Sequence, residues 1–156
     1  MSASTLDATV KAFCDALAAV DMDRAGSFLA PDYDHTFLPA SAGLGPNLGR
    51  DKFLGHFGSL RPIVDKFDVT ILETWPNEAG RTVTLRATNA PHFKDSIKRP
   101  EDADDEWTFL GEYLFVFTMD ESGEKIVKAL EFVDSAAALK MKTLVPKAVK
   151  RLASSP

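Results

Sequence analysis

The apolar residues of this chain change their spacing once, between Pro62 and Phe67, and that switch restricts the fold more than any other feature. Before it they recur at helical intervals, and after it they alternate. Leu6, Val10, Phe13, Cys14, Leu17 and Ala18 form one stripe, which predicts a helix over Leu6 to Val20 with Ser4 and Asp7 as its start signal. Asp21 can cap a second, shorter helix with Met22, Ala25, Phe28 and Leu29 on its inner face, ended by Ala30-Pro31-Asp32. Tyr33 to Pro39 reads as a short extended piece, and Ala40 to Gly49, with three glycines and Pro46, as a loop. A third helix starts near Arg50 and carries Phe53, Leu54, Phe57 and Leu60 on one face.

Beyond the switch, Phe67, Val69, Ile71, Glu73 and Trp75 alternate with more polar neighbours, and Val83, Leu85 and Ala87 do so after a Pro-Asn-Glu-Ala-Gly turn. Both are read as antiparallel strands. Ala90 to Asp105 holds an acidic cluster and reads as a solvated excursion. A long hairpin follows, Glu106 to Phe117 and Lys125 to Ser135, then a last helix capped by Ser135 and a frayed basic tail over 146–156. Helices followed by strands make a segregated α+β domain, 1–156, whose antiparallel sheet must curl around a helix to bury one face.

Composition narrows the partners. With 156 residues and 45% hydrophobic content the chain can bury a core without metal or disulfide help. A formal charge of −5 offers no general attraction to nucleic acid or to an anionic membrane, so neither is expected as a partner. The single cysteine, Cys14, has no disulfide partner, and zinc or iron–sulfur ligand spacings are missing. No apolar run has signal or transmembrane length, so a cytoplasmic location is expected. Gly43-x-Gly45 lacks the strand and helix of a phosphate loop, and Ser41 has no nucleophile setting.

The hairpin carries the candidate chemistry. A three-residue tip, Glu121-Ser122-Gly123 with Gly123 at positive φ, would pair Phe117 with Val127, Phe115 with Ala129 and Tyr113 with Glu131. A two-residue tip would exchange the faces of one strand. The first register collects Trp107, Phe109, Tyr113, Phe115, Phe117, Val127, Ala129, Glu131 and Val133 on one face, assigned to the interior. A carboxyl group in an aromatic cavity resists ionisation, which suits a metal-free general acid or base, and a nearby phenol can donate to a developing oxyanion. Alternatively, Glu131 and Tyr113 simply satisfy each other in the core. His35 is a candidate proton relay or a packing histidine. His56 reads as helix packing and His92 as a solvated loop residue. Arg86 and Asn89 lie on opposite faces of their strand, so only one of them can face the interior.

Several of these segments together resemble the SnoaL-like group of the NTF2-like superfamily, and its fungal members in particular. They are His35-x-x-Leu38-Pro39-Ala40-Ser41-Ala42-Gly43, Gly49-Arg50-Asp51-Lys52-Phe53, Gly111-Glu112-Tyr113-Leu114-Phe115, and Lys125-Ile126-Val127 with Glu131-Phe132-Val133-Asp134-Ser135. The resemblance implies a cone with a pocket at its open end and a homodimer through the outer sheet face, with Leu114, Leu130 and Phe132 in contact. It also implies isomerisation or ring rearrangement of secondary metabolites of the meroterpenoid and indole-alkaloid type, without a cofactor. Two positions depart from the alkaloid-type pattern: Leu38 stands where an arginine is expected and Phe109 where a second tyrosine is.

The resulting expectation is a cofactor-independent isomerase or cyclase of a small, largely apolar metabolite. Glu131 is its acid/base, Tyr113 its donor and His35 its relay, with Leu38, Phe53, Phe57, Trp107, Phe109, Phe115, Ala129 and Val133 lining the pocket. No metal is expected. A dehydratase using the same groups, or a non-catalytic binding or scaffold protein, are the alternatives.

Overall fold

The computed structural model describes residues 2–154. Helix α1 (Ala3–Ala18) is capped by the Ser2 side chain, α2 (Met22–Ser27) by Asp21, and α3 (Arg50–Gly58) follows the loop as expected. The strands are β1 (Leu29–Leu38), β2 (Leu48–Gly49), β3 (Val64–Asn77), β4 (Thr82–Phe93), β5 (Gly111–Met119) and β6 (Ile126–Phe132). They form one sheet in the order β2-β1-β6-β5-β4-β3. All neighbours are antiparallel except β1 and β6, which run parallel.

Four elements differ from the sequence expectation. β4 runs on to Phe93, through the first residues of the expected excursion, and β5 begins only at Gly111, so Glu106 to Leu110, with Trp107 and Phe109, lie in the irregular chain before it. The extended piece around Tyr33 is a ten-residue strand that begins at Leu29, so α2 stops earlier than its apolar spacing suggests. Pro31 does not prevent this, because it falls in the irregular stretch between Leu29 and Asp34 where the β1–β6 ladder is interrupted and its missing N–H leaves no bond unmade. The final helix α4 runs Ser135–Ala153, straight through Pro146, with Asp134 rather than Ser135 as its cap. Most of the segment expected to fray is therefore helical; residues 155 and 156 lie outside the described residues.

The hold on α4 comes from the loop read as a solvated acidic excursion. Arg151 donates to both carboxylate oxygens of Asp102 at 2.5 and 2.6 Å, and the Trp107 indole N–H donates to Asp102 Oδ2 at 2.8 Å. Lys147 pairs with Glu106 and lies over the Trp107 ring. The Arg151 hydrogen bond, followed by those from the Trp107 indole and the Arg99 backbone, holds the Asp102 carboxyl well below the usual carboxylate range. The ion pairs lie beyond Pro146, which explains how the helix survives the break in its hydrogen-bond ladder there.

The sheet curves. Leu72 is an extra residue between the Ile71–Ala87 and Glu73–Arg86 pairs, a bulge that bends β3. The concave face receives α1, whose Leu6, Val10 and Phe13 are buried against Val83, Leu85, Phe117 and Ala129. Burying each such side chain contributes roughly 1.5–3 kcal/mol. A second cluster, with Ile63, Phe67, Phe93, Ile97, Trp107 and Leu144, fastens α4 across one end of the sheet.

The β5–β6 hairpin keeps the expected faces through two departures from the expected register. Asp120 N donates to Lys125 O, so four residues form the tip instead of three, and one extra residue, Val127, is then left out of the ladder. Each departure alone would flip β6, but together they shift it by two residues and restore its parity. Phe115 faces Glu131 and Phe117 faces Ala129. Val127, expected inside, is the residue displaced, and Ile126 is buried in its place. Gly123 takes φ 76°, the left-handed conformation anticipated for the turn.

Candidate active site

His35 and Glu131 are both buried, at 2% and 7% exposure, on the concave side of the adjacent parallel strands β1 and β6. His35 pairs directly with Ala129, and the small methyl there leaves the imidazole room to reach Glu131, two residues further along β6. His35 Nε2 lies 2.9 Å from Glu131 Oε2, and His35 Nδ1 lies 2.7 Å from the phenol oxygen of Tyr33. Tyr33 is itself buried, and burial, followed by the Glu131 charge, raises its pKa, so it remains a phenol. A Tyr33 O–H donated to Nδ1 leaves Nε2 as the ring N–H that faces Glu131. Phe53 stacks on the imidazole at 4.7 Å between ring centroids and fixes its plane.

The Tyr33–His35–Glu131 chain was only partly visible in the sequence. His35 and Glu131 were singled out, but Tyr33 was not, although Tyr-x-His at period two places both rings on one face of a strand. Tyr113 does not form the pair expected with Glu131. Because of the register shift it sits on the same face but one step along, stacked with Phe115 at 6.2 Å, and Glu131 takes its hydrogen bond from His35 instead. The Tyr113 ring lies across Gly111, where an added Cβ would come within 2.7 Å of the phenol oxygen, so only glycine fits there. Burial and then the Glu131 charge raise the Tyr113 pKa, keeping it a donor.

Two connected chambers surround these groups. The outer one, about 490 Å3, is lined by Phe37, His56, Phe109 and Val133 and is roofed by Met141 and Val145 of α4. The inner one, about 60 Å3, lies deeper, against Phe13, Cys14 and Leu17 of α1 and Leu85 and Ala87 of β4. Phe57, Phe67, Asn89, Tyr113 and Glu131 line both and make the waist between them.

Of the expected lining residues, Phe53, Phe57, Phe109, Phe115 and Val133 do face the cavity. Leu38, Trp107 and Ala129 do not. Leu38 ends β1 beside Phe132, Trp107 is packed against Phe93 and the α4 cations, and Ala129 lies beneath His35 in the core. His56, read as packing, lines the outer chamber, and burial lowers its pKa. His92 bonds Asp68 on the surface. The choice between Arg86 and Asn89 resolves cleanly: Arg86 bridges Glu73 and Glu112 on the outer face, and Asn89 faces the waist. No cluster suited to a metal ion occurs among the described residues, and none of their helices is long and apolar enough to cross a membrane.

A search of curated protein sequences returns no match. Solved structures share the fold at low identity. BvnE pinacolase from Penicillium brevicompactum superposes with a TM-score of 0.76 at 17% identity, over 94% of this chain and 97% of that one. AusH from Aspergillus nidulans gives 0.70 at 21% identity over 85% of each chain, and an LEH-like epoxide hydrolase of M. tuberculosis gives 0.66 at 19% identity over 94% and 97%. A six-stranded curved sheet wrapped on helices is thus the NTF2-like architecture. The model of the SnoaL-like domain matches residues 10–129, most of the chain, and the protein belongs to that family.

Proposed function

We propose that the protein is a cofactor-independent isomerase or cyclase acting on a small, largely apolar secondary metabolite. The observation that carries this reading is the buried Tyr33–His35–Glu131 chain, which ends at an apolar cavity large enough for a drug-sized ligand. Glu131 Oε2 is held by His35, while Oε1 has no hydrogen-bond partner among the described residues and belongs to a side chain that lines both chambers. Oε1 is therefore the atom that removes a proton from bound substrate. The same carboxyl group returns that proton at a second position, so the reaction is balanced without a cofactor. His35 and Tyr33 orient the carboxylate, and the Tyr113 phenol at the waist donates to the oxygen on which charge develops. That relatives of the same fold are named as a pinacolase and an epoxide hydrolase supports a catalytic rather than a purely structural use of such a cavity.

The test is to incubate the protein with an extract of its source organism lacking the gene and follow the metabolite that is consumed. Glu131→Gln keeps the shape of the site but removes the base, and turnover should fall by about 10²-fold or more. Full turnover by that variant would remove the assignment.

We also propose that two copies pair through the convex face of the sheet, where Leu114 and Phe132 are 42% and 50% exposed beside the Arg86–Glu112 pair.

A further inference from the structure

The waist of the cavity holds a polar side chain to which the acid/base chemistry gives no task. Asn89 lies on β4 opposite Val69 and Gly111 and lines both chambers. Its Oδ1 is the buried end of the amide and has no partner among the described residues. The end turned to the cavity is therefore Nδ2, a donor, and it donates to no other described residue. Exchanging the two atoms would bury two unpaired N–H groups in place of one oxygen, so the amide keeps this orientation.

Gly111 brings a second donor to the same place. A side chain at that position would stand directly opposite Asn89, where cross-strand Cβ atoms are roughly 4.5–5.5 Å apart. Tyr113 takes the space instead, with its hydroxyl oxygen 2.7 Å from where the Cβ would be. The phenol thus faces the Asn89 amide across the strands, and its O–H is also unspent among the described residues. Two donors at this separation can converge on one oxygen lying about 2.9 Å from each. A carbonyl oxygen, with two lone pairs and no proton of its own, accepts both. Glu131 completes the arrangement from β6: it faces Phe115, two residues from Tyr113 on the same face, and is the diagonal neighbour of the phenol.

We infer that the substrate is an unsaturated ketone whose carbonyl oxygen is seated between the Asn89 amide N–H and the Tyr113 hydroxyl, with a neighbouring acidic C–H bond turned to Glu131. The seat deepens the isomerase reading and rests on it for the chemistry. Glu131 Oε1 takes the proton, the C–H electron pair becomes a C=C bond, and the C=O pair moves onto the oxygen, where both donors strengthen their hydrogen bonds. The protonated carboxyl returns the proton at the other end of the conjugated system, so the double bond moves and the atoms balance.

A matched pair of bicyclic sesquiterpenes tests the seat by binding alone. Nootkatone is valencene with one CH2 replaced by a conjugated carbonyl, and a chamber of about 490 Å3 accommodates molecules of that size. Wild-type protein should hold nootkatone about tenfold more tightly than valencene, measured by headspace gas chromatography, the effect of two hydrogen bonds. Asn89→Leu and Tyr113→Phe should each cut that preference to about threefold, and the double variant should abolish it, with valencene affinity unchanged. Equal wild-type affinity for the pair, or no measurable binding of nootkatone, would overturn the carbonyl seat. A preference left intact by Asn89→Leu would remove Asn89 from it. The wild-type comparison stands even where a variant does not fold. Deuterium incorporation into bound nootkatone beside its carbonyl reports on the base separately. Ketone preference without incorporation that Glu131→Gln abolishes keeps the seat and fails the acid/base reading; Glu131-dependent incorporation without the preference does the reverse.

Discussion

The Ala129 side chain has no polar atom and does not line the cavity, yet it decides where His35 can go. It sits beside His35 in the parallel β1–β6 ladder, and any larger side chain would occupy the space through which the imidazole reaches Glu131. Ala129→Leu should overpack this point, lowering stability by about 1–3 kcal/mol, and should cut turnover in the folded fraction as steeply as loss of His35; a stable variant with unchanged turnover would show that the 2.9 Å contact is not needed. Cys14 offers a second residue-level test. Burial pushes its thiol up to about 12 from an unfolded value of 9.0. Only the unfolded state ionises appreciably between these values, so this contribution to stability is complete below pH 9.0 and is lost as pH rises toward about 12. Folded protein at about pH 8 should therefore resist thiol-labelling reagents until denaturant is added, and Cys14→Ala should reduce the alkaline loss of stability. Residue identity was legible in the sequence wherever a polar group interrupted an apolar alternation, as at Glu131. Tyr33 was not, because the Tyr-x-His spacing brings the two rings to one face only once the segment is known to be a strand, and that depends on its distant partner β6.

Element by element, the sequence specified most where the hydrophobic period is regular: α1, α3, β3, β4 and the hairpin. It failed at β1 and at the far half of α4, for related reasons. β1 is held by pairing with β6, nearly a hundred residues away in the chain, and a local pattern holds no information on that partner. The end of α4 is held by Asp102 and Glu106 across a loop, which overrides the local signal of Pro146 to stop. Because Asp102 titrates far below its unfolded value of 3.8, its contribution is present above that pH and is lost as pH falls beneath it. Asp102→Asn should lower the melting temperature at neutral pH and flatten the acid limb of the stability profile below about pH 4. Since α4 roofs the outer chamber, the same variant should weaken binding of apolar ligands, read by titration; unchanged binding would mean that the roof stands without this anchor.

On the scale of the whole molecule, the convex face and the concave face make separable demands on the same strands. Leu114, Leu130 and Phe132 turn outward while Phe115, Ala129 and Glu131 turn inward, one residue apart. Replacing Leu114 and Phe132 together by lysine and glutamate should yield a monomer in sedimentation without changing the cavity; a wild-type protein that already sediments as a monomer removes the proposed pairing. A sheet curled around a helix was legible from the order of helices and strands, and the cone from the family resemblance. Its two chambers were not, since they depend on the bulges that curve the sheet and on where α4 comes to rest.

The match to the SnoaL-like domain stops at residue 129, so Glu131, Val133 and all of α4 lie beyond it. The sheet and α1 supply the floor of the cavity, and the last stretch of chain supplies the proposed base, Glu131, and the ceiling. Ceiling residues such as Met141 and Val145 are only partly buried and sit on a helix that Lys147 and Arg151 anchor just beyond them. They pack on the Phe67–Phe93–Trp107 cluster and lie on a different element from the Tyr33–His35–Glu131 chain, so conservative apolar replacements there should reshape the ceiling first. The cavity can in this way be refitted to new molecules by editing one helix, which makes α4 the natural place to begin redesigning what it accepts.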